Sequence, residues 1–151
     1  MAFSDVLNRI ETHATTAGAS LTVPITDVKI GYPKATGRCV RIFWGGEVRP
    51  VKMGDSEQVL NGQMVSDLVV IVAFWPLSNL SETMAETIEL EARAFTAAFR
   101  TAVLGDSQLN GNVTDLYLQH GETDFPVLAG TQYRTVTFEA ICDFTEYPLA
   151  Q

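Results

Sequence analysis

The sequence predicts an α+β fold in which an antiparallel or mixed sheet of about four to five strands packs against two main helices. Two segments, one N-terminal and one central, repeat apolar residues at the period of a helix. The β-rich segments are clustered before and after the central one, as in an antiparallel α+β sandwich. At 151 residues and without an internal repeat, the chain corresponds to one domain, residues 1–151.

Two segments meet the criteria for helices. The first helix is expected over residues 3–17, where apolar side chains share one face and Gly18 ends the pattern. The second follows Ser81, a favoured N-cap residue, and ends at Gly105. Its apolar stripe is Met84, Ile88, Phe95, Phe99 and Ala102, interrupted by Glu91, and its opposite side carries Glu82, Glu86, Glu89, Arg93 and Arg100.

The segments between the helices contain extended structure of uneven quality. Residues 20–33 are interrupted by two prolines, which restricts them to an edge or irregular strand. Residues 37–44 are β-rich and end at Gly45-Gly46, which predicts a two-residue hairpin turn. Pro50 then makes the second arm of that hairpin an edge or bulged strand.

A loop is expected over residues 54–67, and its mobile part over about 54–66. The segment has two glycines, several acids and no sustained period. The stretch "DLVVIVAFWP", residues 67–76, is apolar on both faces and predicts a central strand. After the long helix, "VTDLYLQ" predicts a further strand, and the loop "HGETDFPVLAG" follows it.

Residues 133–148, "YRTVTFEAICDFTEYP", predict a long closing strand with a dry face and a wet face, since side chains alternate across a sheet. The dry face is Val136, Phe138, Ala140, Cys142 and Phe144. The wet face is Thr135, Thr137, Glu139, Asp143 and Thr145, with Ile141 as the exception. This strand therefore places two carboxylates on its solvent side.

Composition excludes several classes of function. The net charge of −8 lacks the basic footprint that neutralises nucleic-acid phosphates. The longest apolar run, "LVVIVAFW", is too short to span a bilayer, so a soluble protein made in a cytoplasm is expected, without a membrane partner. Cys39 and Cys142 are expected to be small buried hydrophobes, with a disulfide as the less favoured alternative.

The motifs that suggest catalysis have simpler explanations. "GDSE" at Gly54 and "GDSQL" at Gly105 are similar to the serine block of a hydrolase, but His120 has no Asp three residues before it. Turn and cap preferences of Gly, Asp and Ser account for both blocks. His13 and His120 lack metal-ligand spacing, and no phosphate-binding glycine loop is present in the sequence. We therefore predict no enzyme, metal or cofactor.

The order of these segments resembles the tail terminator (tail completion) proteins of long-tailed bacteriophages and phage-like particles. The resemblance covers most of the chain and is clearest over 67–148, through "FWP", the helix ending near "LGD" and the closing "RTVTFEA" strand. The loop over 54–67 and the Gly-Gly hairpin depart from the family pattern.

The resemblance implies a virion structural protein: a homo-oligomeric ring, typically a hexamer, that caps the tail tube, stops its polymerisation and joins it to the head. The implied partners are the protein itself, the tail tube protein and the head–tail connector, with DNA passing without specific binding. Assembly would occur in the host cytoplasm, and the mature location would be the head-proximal end of the tail.

In that family the sheet tends to face the channel, which would make Glu139 and Asp143 channel-facing; otherwise they are simply solvated strand carboxylates. The loop would contact a neighbour or partner through Asp55, Glu57, Gln58, Asn61 and Gln63. Two alternatives stay open. One is a head-side neck (stopper or adaptor) or tube-related protein. The other, of a different class, is a small α+β enzyme such as a thioesterase or isomerase.

Overall fold

The computed structural model describes residues 3–31, 37–48, 63–77 and 80–146. Within these ranges there are two helices and six strands. The helices are α1 (Phe3–Ala19) and α2 (Glu82–Leu104). The strands are β1 (Val28–Ile30), β2 (Cys39–Glu47), β3 (Gln63–Pro76), β4 (Asp115–His120), β5 (Val127–Leu128) and β6 (Thr131–Glu146).

The strands form one mixed sheet in the order β1-β2-β3-β6-β4, with β5 paired to the start of β6. β1 runs parallel to β2, and every other pair is antiparallel. The central ladder joins β3 and β6 from the Gln63–Glu146 pair to the Pro76–Tyr133 pair. The predicted α+β class, the central position of the apolar strand and the long closing strand are therefore confirmed.

Both helices pack on one side of the sheet, which we call the inner face. Aromatic rings form its centre: Trp75 of β3 meets Phe95 edge-to-face, Phe95 stacks on Phe99, and Phe99 contacts Phe138 of β6 at 4.9 Å between ring centroids. All four side chains are buried, and each contributes roughly 1.5–3 kcal/mol by leaving water. The dry face predicted for the closing strand is the β6 contribution to this core.

The buried stripe of α2 differs in part from the prediction. Ile88, Phe95 and Phe99 are buried as expected, and Ala92 and Val103 join them. Met84 is 51% exposed, because residues 82–87 all lie in solvent and the helix reaches the core only at Ile88. The N-cap is confirmed, since the Ser81 hydroxyl accepts a hydrogen bond from the amide of Met84 at 3.2 Å.

Glu91, the polar interruption of that stripe, has two hydrogen-bond donors. Its Oε2 accepts from the Arg38 guanidinium at 2.8 Å and from the Trp75 indole N–H at 3.0 Å. A mostly buried carboxylate is tolerated when charged and neutral donors replace its water shell. Glu91 therefore ties α2 to the sheet at the edge of the core.

The predicted hairpin turn at Gly45-Gly46 is wrong. β2 continues through both glycines, with Trp44 paired to Val69 and Gly46 to Leu68, so that one extra residue bulges out of the ladder. Gly46 has φ of 102°, a backbone conformation that favours glycine in bulges as well as in turns. The same chemical preference serves both structures, which is why the sequence pattern did not separate them. The rest of the predicted second arm, including Pro50, lies outside the described residues.

The predicted loop over 54–67 is wrong at its C-terminal end, because Gln63–Asp67 belong to β3 and pair with the end of β6. Apolar and polar residues do not alternate cleanly in that segment. It forms a strand because the β6 backbone supplies a hydrogen-bonding partner. Gln63 is thus a strand residue. The other residues proposed for partner contact, Asp55, Glu57, Gln58 and Asn61, lie outside the described residues.

The two cysteines are free and buried on opposite faces of the sheet, so the disulfide alternative is wrong. Burial raises the pKa of the Cys39 thiol. Burial, together with the nearby carboxylates of Asp67 and Asp143, raises the pKa of Cys142 to about 12. Both side chains therefore stay protonated and act as small core residues, as predicted.

Candidate functional site

The sheet surface opposite the helices, here called the outer face, is the candidate functional site. Cross-strand neighbours form rows on it. One row runs Phe43, Val70, Glu139, Gln119, and the next runs Leu68, Ile141, Tyr117. Most of these side chains are half-buried, and Tyr117 is 53% exposed. Neither helix packs here, so this face mixes apolar and polar groups at the surface.

One end of the outer face is covered by residues 121–130. Leu128 packs on a small cluster that includes Phe74 and Tyr133, whose rings meet edge-to-face at 5.7 Å. Backbone bonds hold the segment down: the amide of Tyr133 donates to the Pro126 carbonyl at 2.8 Å. The Thr135 hydroxyl donates to the Asp124 carbonyl at 3.1 Å. The remaining length of the face has no such cover among the described residues.

The two carboxylates proposed as channel-facing, Glu139 and Asp143, share the outer face but differ in environment. Glu139 is half-buried and accepts an exposed hydrogen bond from Gln119 at 3.0 Å. Asp143 is only 7% exposed and accepts a 2.5 Å hydrogen bond from the Ser66 hydroxyl. Glu139 therefore presents its charge to solvent, whereas Asp143 is part of the internal hydrogen bonding of the sheet.

The predicted wet face is accordingly wrong at two of its positions. Thr135 is 2% exposed because residues 121–130 lie over it, and Asp143 is buried in the strand that lies between β3 and β4. Alternation predicts which face a side chain occupies, but a loop or neighbouring strands can still cover it. Thr145 belongs to β6, and its side chain lies outside what the structure describes.

An exposed tryptophan marks the bulged end of β2. Trp44 is 55% exposed, yet its indole N–H donates to the buried Asp67 carboxylate at 2.8 Å. The hydrogen bond fixes the orientation of the ring while leaving its apolar surface in solvent. Tryptophan in such a position is typical of protein contact surfaces. The tryptophan is visible in the "FWGG" sequence, but its hydrogen bond to Asp67 depends on the bulge and could not be predicted from that sequence.

A second polar cluster joins the two helices. Oδ2 of Asp106 lies 2.6 Å from Arg9 Nε and 2.6 Å from His13 Nε2, and its Oδ1 accepts from the amide of Asn110 at 2.9 Å. Burial alone would raise the pKa of Asp106, but the hydrogen bonds from Arg9, His13 and Asn110 outweigh it and lower the pKa to about 2. Asp106 therefore remains a carboxylate that links α1 to the end of α2.

This cluster bears on the serine block at Gly105. The structure pairs Asp106 with His13, but within the described chain no hydrogen bond joins Ser107 to that imidazole. The geometry of a nucleophile activated by a histidine base is thus missing from this cluster as described. Among the described residues, no group of three or more His, Cys, Asp or Glu side chains is placed to hold a metal ion.

Comparisons with known proteins give no family. No family model matches the sequence, and no curated protein matches it. One solved structure aligns over 99% of this chain and 99% of its own, at 12% identity and a TM-score of 0.47, too low to bear on function. Neither helix in the described part of the chain is long and apolar enough to cross a membrane.

Proposed function

We propose that the protein is a virion structural protein, a ring that caps the tail tube of a long-tailed bacteriophage or phage-like particle. The observation that supports this best is the one-sided architecture. Both helices lie on the inner face, while much of the outer face of the long β3–β6 ladder has no cover from the described residues. A subunit that lines a channel with its sheet requires such a division, and the resemblance over 67–148 implies the same arrangement.

The charge of the outer face fits the passage of DNA. Each chain carries a net charge of −8, and Glu139 presents a carboxylate on this face. In a ring this carboxylate repeats around the passage and repels phosphates within roughly one Debye length, about 8 Å at physiological salt. The Asp143 side chain is buried, so it adds less to that field than the sequence suggested.

Contacts between copies would use the exposed apolar groups near the edges of the sheet. Tyr117 lies in β4, at the edge of the described sheet, and Trp44 lies at the bulged end of β2. Aromatic side chains of this kind often supply a large share of an interface's free energy. A closed ring requires heterologous contacts, in which different patches of neighbouring subunits meet. In this proposal the protein has no chemistry of its own, and the tail tube and neck proteins bind the two rims of the ring.

The assembly state tests the proposal directly. Size-exclusion chromatography with light scattering should give a single closed oligomer of several copies, and negative-stain microscopy should show rings with a central hole. Addition of purified tail tubes should place those rings at one end. A protein that stays monomeric or dimeric at every concentration, with or without tubes, would contradict the proposed function.

A charge reversal then tests the orientation of the sheet. Rings of Glu139→Lys should retain DNA more than the parent, and the retention should fall steeply as salt is raised. Glu86→Lys is the matched control, because it makes the same change of charge on an exposed position of α2. Equal retention by the two variants would mean that Glu139 does not face the passage.

A further inference from the structure

We propose that the cleft between α2 and the adjacent parts of β4 and β6 binds a phosphate-type oxyanion, either free or carried as a monoester on a small molecule. The cleft has a volume of about 480 Å³. Sites for small molecules commonly have volumes of this order. The cleft is separate from the surfaces used in the proposed ring, so the two proposals stand or fall independently.

A cationic stripe on α2 forms one wall of the cleft. Arg93, Thr96 and Arg100 are spaced at i, i+3 and i+7, which places them along one line of the helix, and all three line the cleft. Both arginines are exposed. Neither has a hydrogen bond, ion pair or ring contact with another described residue. Two guanidinium groups therefore face the cleft with their donors available.

The third arginine of the cleft, Arg134, has a carboxylate partner and an aromatic partner. Arg134 donates from Nε to Glu89 Oε1 at 2.9 Å and from Nη2 to Oε2 at 3.1 Å, and it lies over the Phe125 ring. The hydrogen bonds from Arg134 lower the pKa of Glu89. Because Glu89 is paired with Arg134, Glu122 is the one remaining carboxylate that lines the cleft with Arg93 and Arg100 among the described residues.

The opposite wall adds polar groups together with one carboxylate, that of Glu122. Thr137 of β6 also lines the cleft, but its side chain, like that of Glu139, lies on the outer face of the sheet. His120 also lines it, with its ring packed 4.6 Å from the Phe138 ring, centroid to centroid. A tetrahedral oxyanion can accept from donors on several sides, and guanidinium groups match its oxygens in pairs. Guanidinium groups on one wall and polar groups on the other fit an oxyanion that accepts hydrogen bonds from several sides, as a phosphate does.

The charge of the whole chain argues for a small ligand over a duplex. Of the ten basic residues, three lie in this cleft, while the chain carries a net charge of −8. A duplex needs an extended basic surface to release its counterions, whereas a concave site with two free arginines suits one compact dianion. The sequence shows that Arg93 and Arg100 are neighbours on the polar face of α2. The cleft itself forms only where β4 and β6 pack beside that helix.

Isothermal titration calorimetry of the full chain at low ionic strength tests the site with two probes, inorganic phosphate and glycerol 2-phosphate. The parent should bind one equivalent saturably. Arg93→Gln and Arg100→Gln should each weaken binding by about 10-fold or more, as expected when a hydrogen bond to a charged group is lost. Lys29→Gln is the control, since it removes the same charge from an exposed side chain outside the cleft.

Further measurements keep the test decisive. Circular dichroism should show every variant folded, because neither arginine has a described partner to lose. Tighter binding of the monoester supports a carried phosphate, and equal binding supports free phosphate. Absence of saturable binding by either probe, a Lys29→Gln effect as large as that of Arg93→Gln, or binding of duplex DNA alone would overturn the proposal.

Discussion

The same strands form the inner and outer faces of the sheet, but the side chains of the two faces differ in what they contact. On the inner face, alternate residues of β3 and β6 meet two helices and form an aromatic core that excludes water. On the outer face, the other alternate residues meet a short segment at one end, and along the rest they are half-buried or exposed except for the buried Ser66–Asp143 pair. The inner face therefore supplies most of the fold's own stability, and the outer face is where binding groups can be placed at small cost.

The largest expected effect concerns the centre of the inner face. Phe95→Ala should lower the free energy of unfolding by about 3–5 kcal/mol, because the ring is fully buried between Trp75 and Phe99. Leu90→Ala on the same helix is the control: Leu90 is 66% exposed, so the change should stay within about 0.5 kcal/mol. A loss below about 1 kcal/mol for Phe95→Ala in urea unfolding would refute the assignment of the inner face.

The next effect separates the two outer-face carboxylates. Asp143→Lys should cost about 3 kcal/mol or more, because it removes a buried acceptor for Ser66 and introduces a buried cation. Glu139→Lys should change the free energy of unfolding by no more than about 0.5 kcal/mol, since Glu139 lies at the surface. Equal costs for the two variants would mean that the outer face has a single environment.

The link between the two helices should give the fold an acid-sensitive component. The pKa of Asp106 is about 2 in the folded protein against an ordinary value of 3.8. This lowered pKa contributes stability fully above pH 3.8, and the contribution is lost as the pH falls through 2. It amounts to about 2 kcal/mol. Asp106→Asn should remove that dependence when unfolding is followed by urea titration between pH 5 and 2. An unchanged slope in the variant would show that other carboxylates produce it.

The smallest expected effect concerns the bulge that interrupts β2. Gly46→Ala should cost about 1 kcal/mol, since an L-residue is strained at a φ of 102°. Gly105→Ala makes the same chemical change at a φ of −73° and should cost less. Thermal unfolding of both variants measures the difference. If Gly46→Ala were neutral, the strand would have room to change its register at that point.

Periodicity predicted the elements that have one strong pattern. Both helices, the two-sided apolar strand β3 and the long strand β6 follow from the spacing of apolar residues. The Ser81 cap follows from the preference of serine for the N-cap position. The Gly45-Gly46 turn failed because glycine's backbone freedom suits a bulge equally well. The start of β3 was missed because its pairing with β6 is a long-range contact that no local pattern contains.

The candidate sites were harder to predict for the same reason. Alternation assigned Glu139 and Asp143 to one face correctly, but only the packing of neighbouring strands shows that Asp143 is buried. Arg93 and Arg100 could be seen as neighbours on α2, whereas His120 and Thr137 come from other elements. A cluster assembled from three elements has no signature in any single stretch of sequence.

The central β3–β6 ladder has a consequence for how the chain reaches its fold. Ser66 and Asp143, hydrogen-bonded neighbours across that ladder, are 77 positions apart in sequence. Contacts of such separation form only after a large loop closes, so folding should be slow, on the order of milliseconds to seconds, compared with a helical bundle. Before β6 pairs with it, β3 exposes two apolar faces and an unpaired backbone edge. This exposure favours association between incompletely folded chains. The yield of refolding should therefore fall as protein concentration rises, even for a chain whose final state is stable.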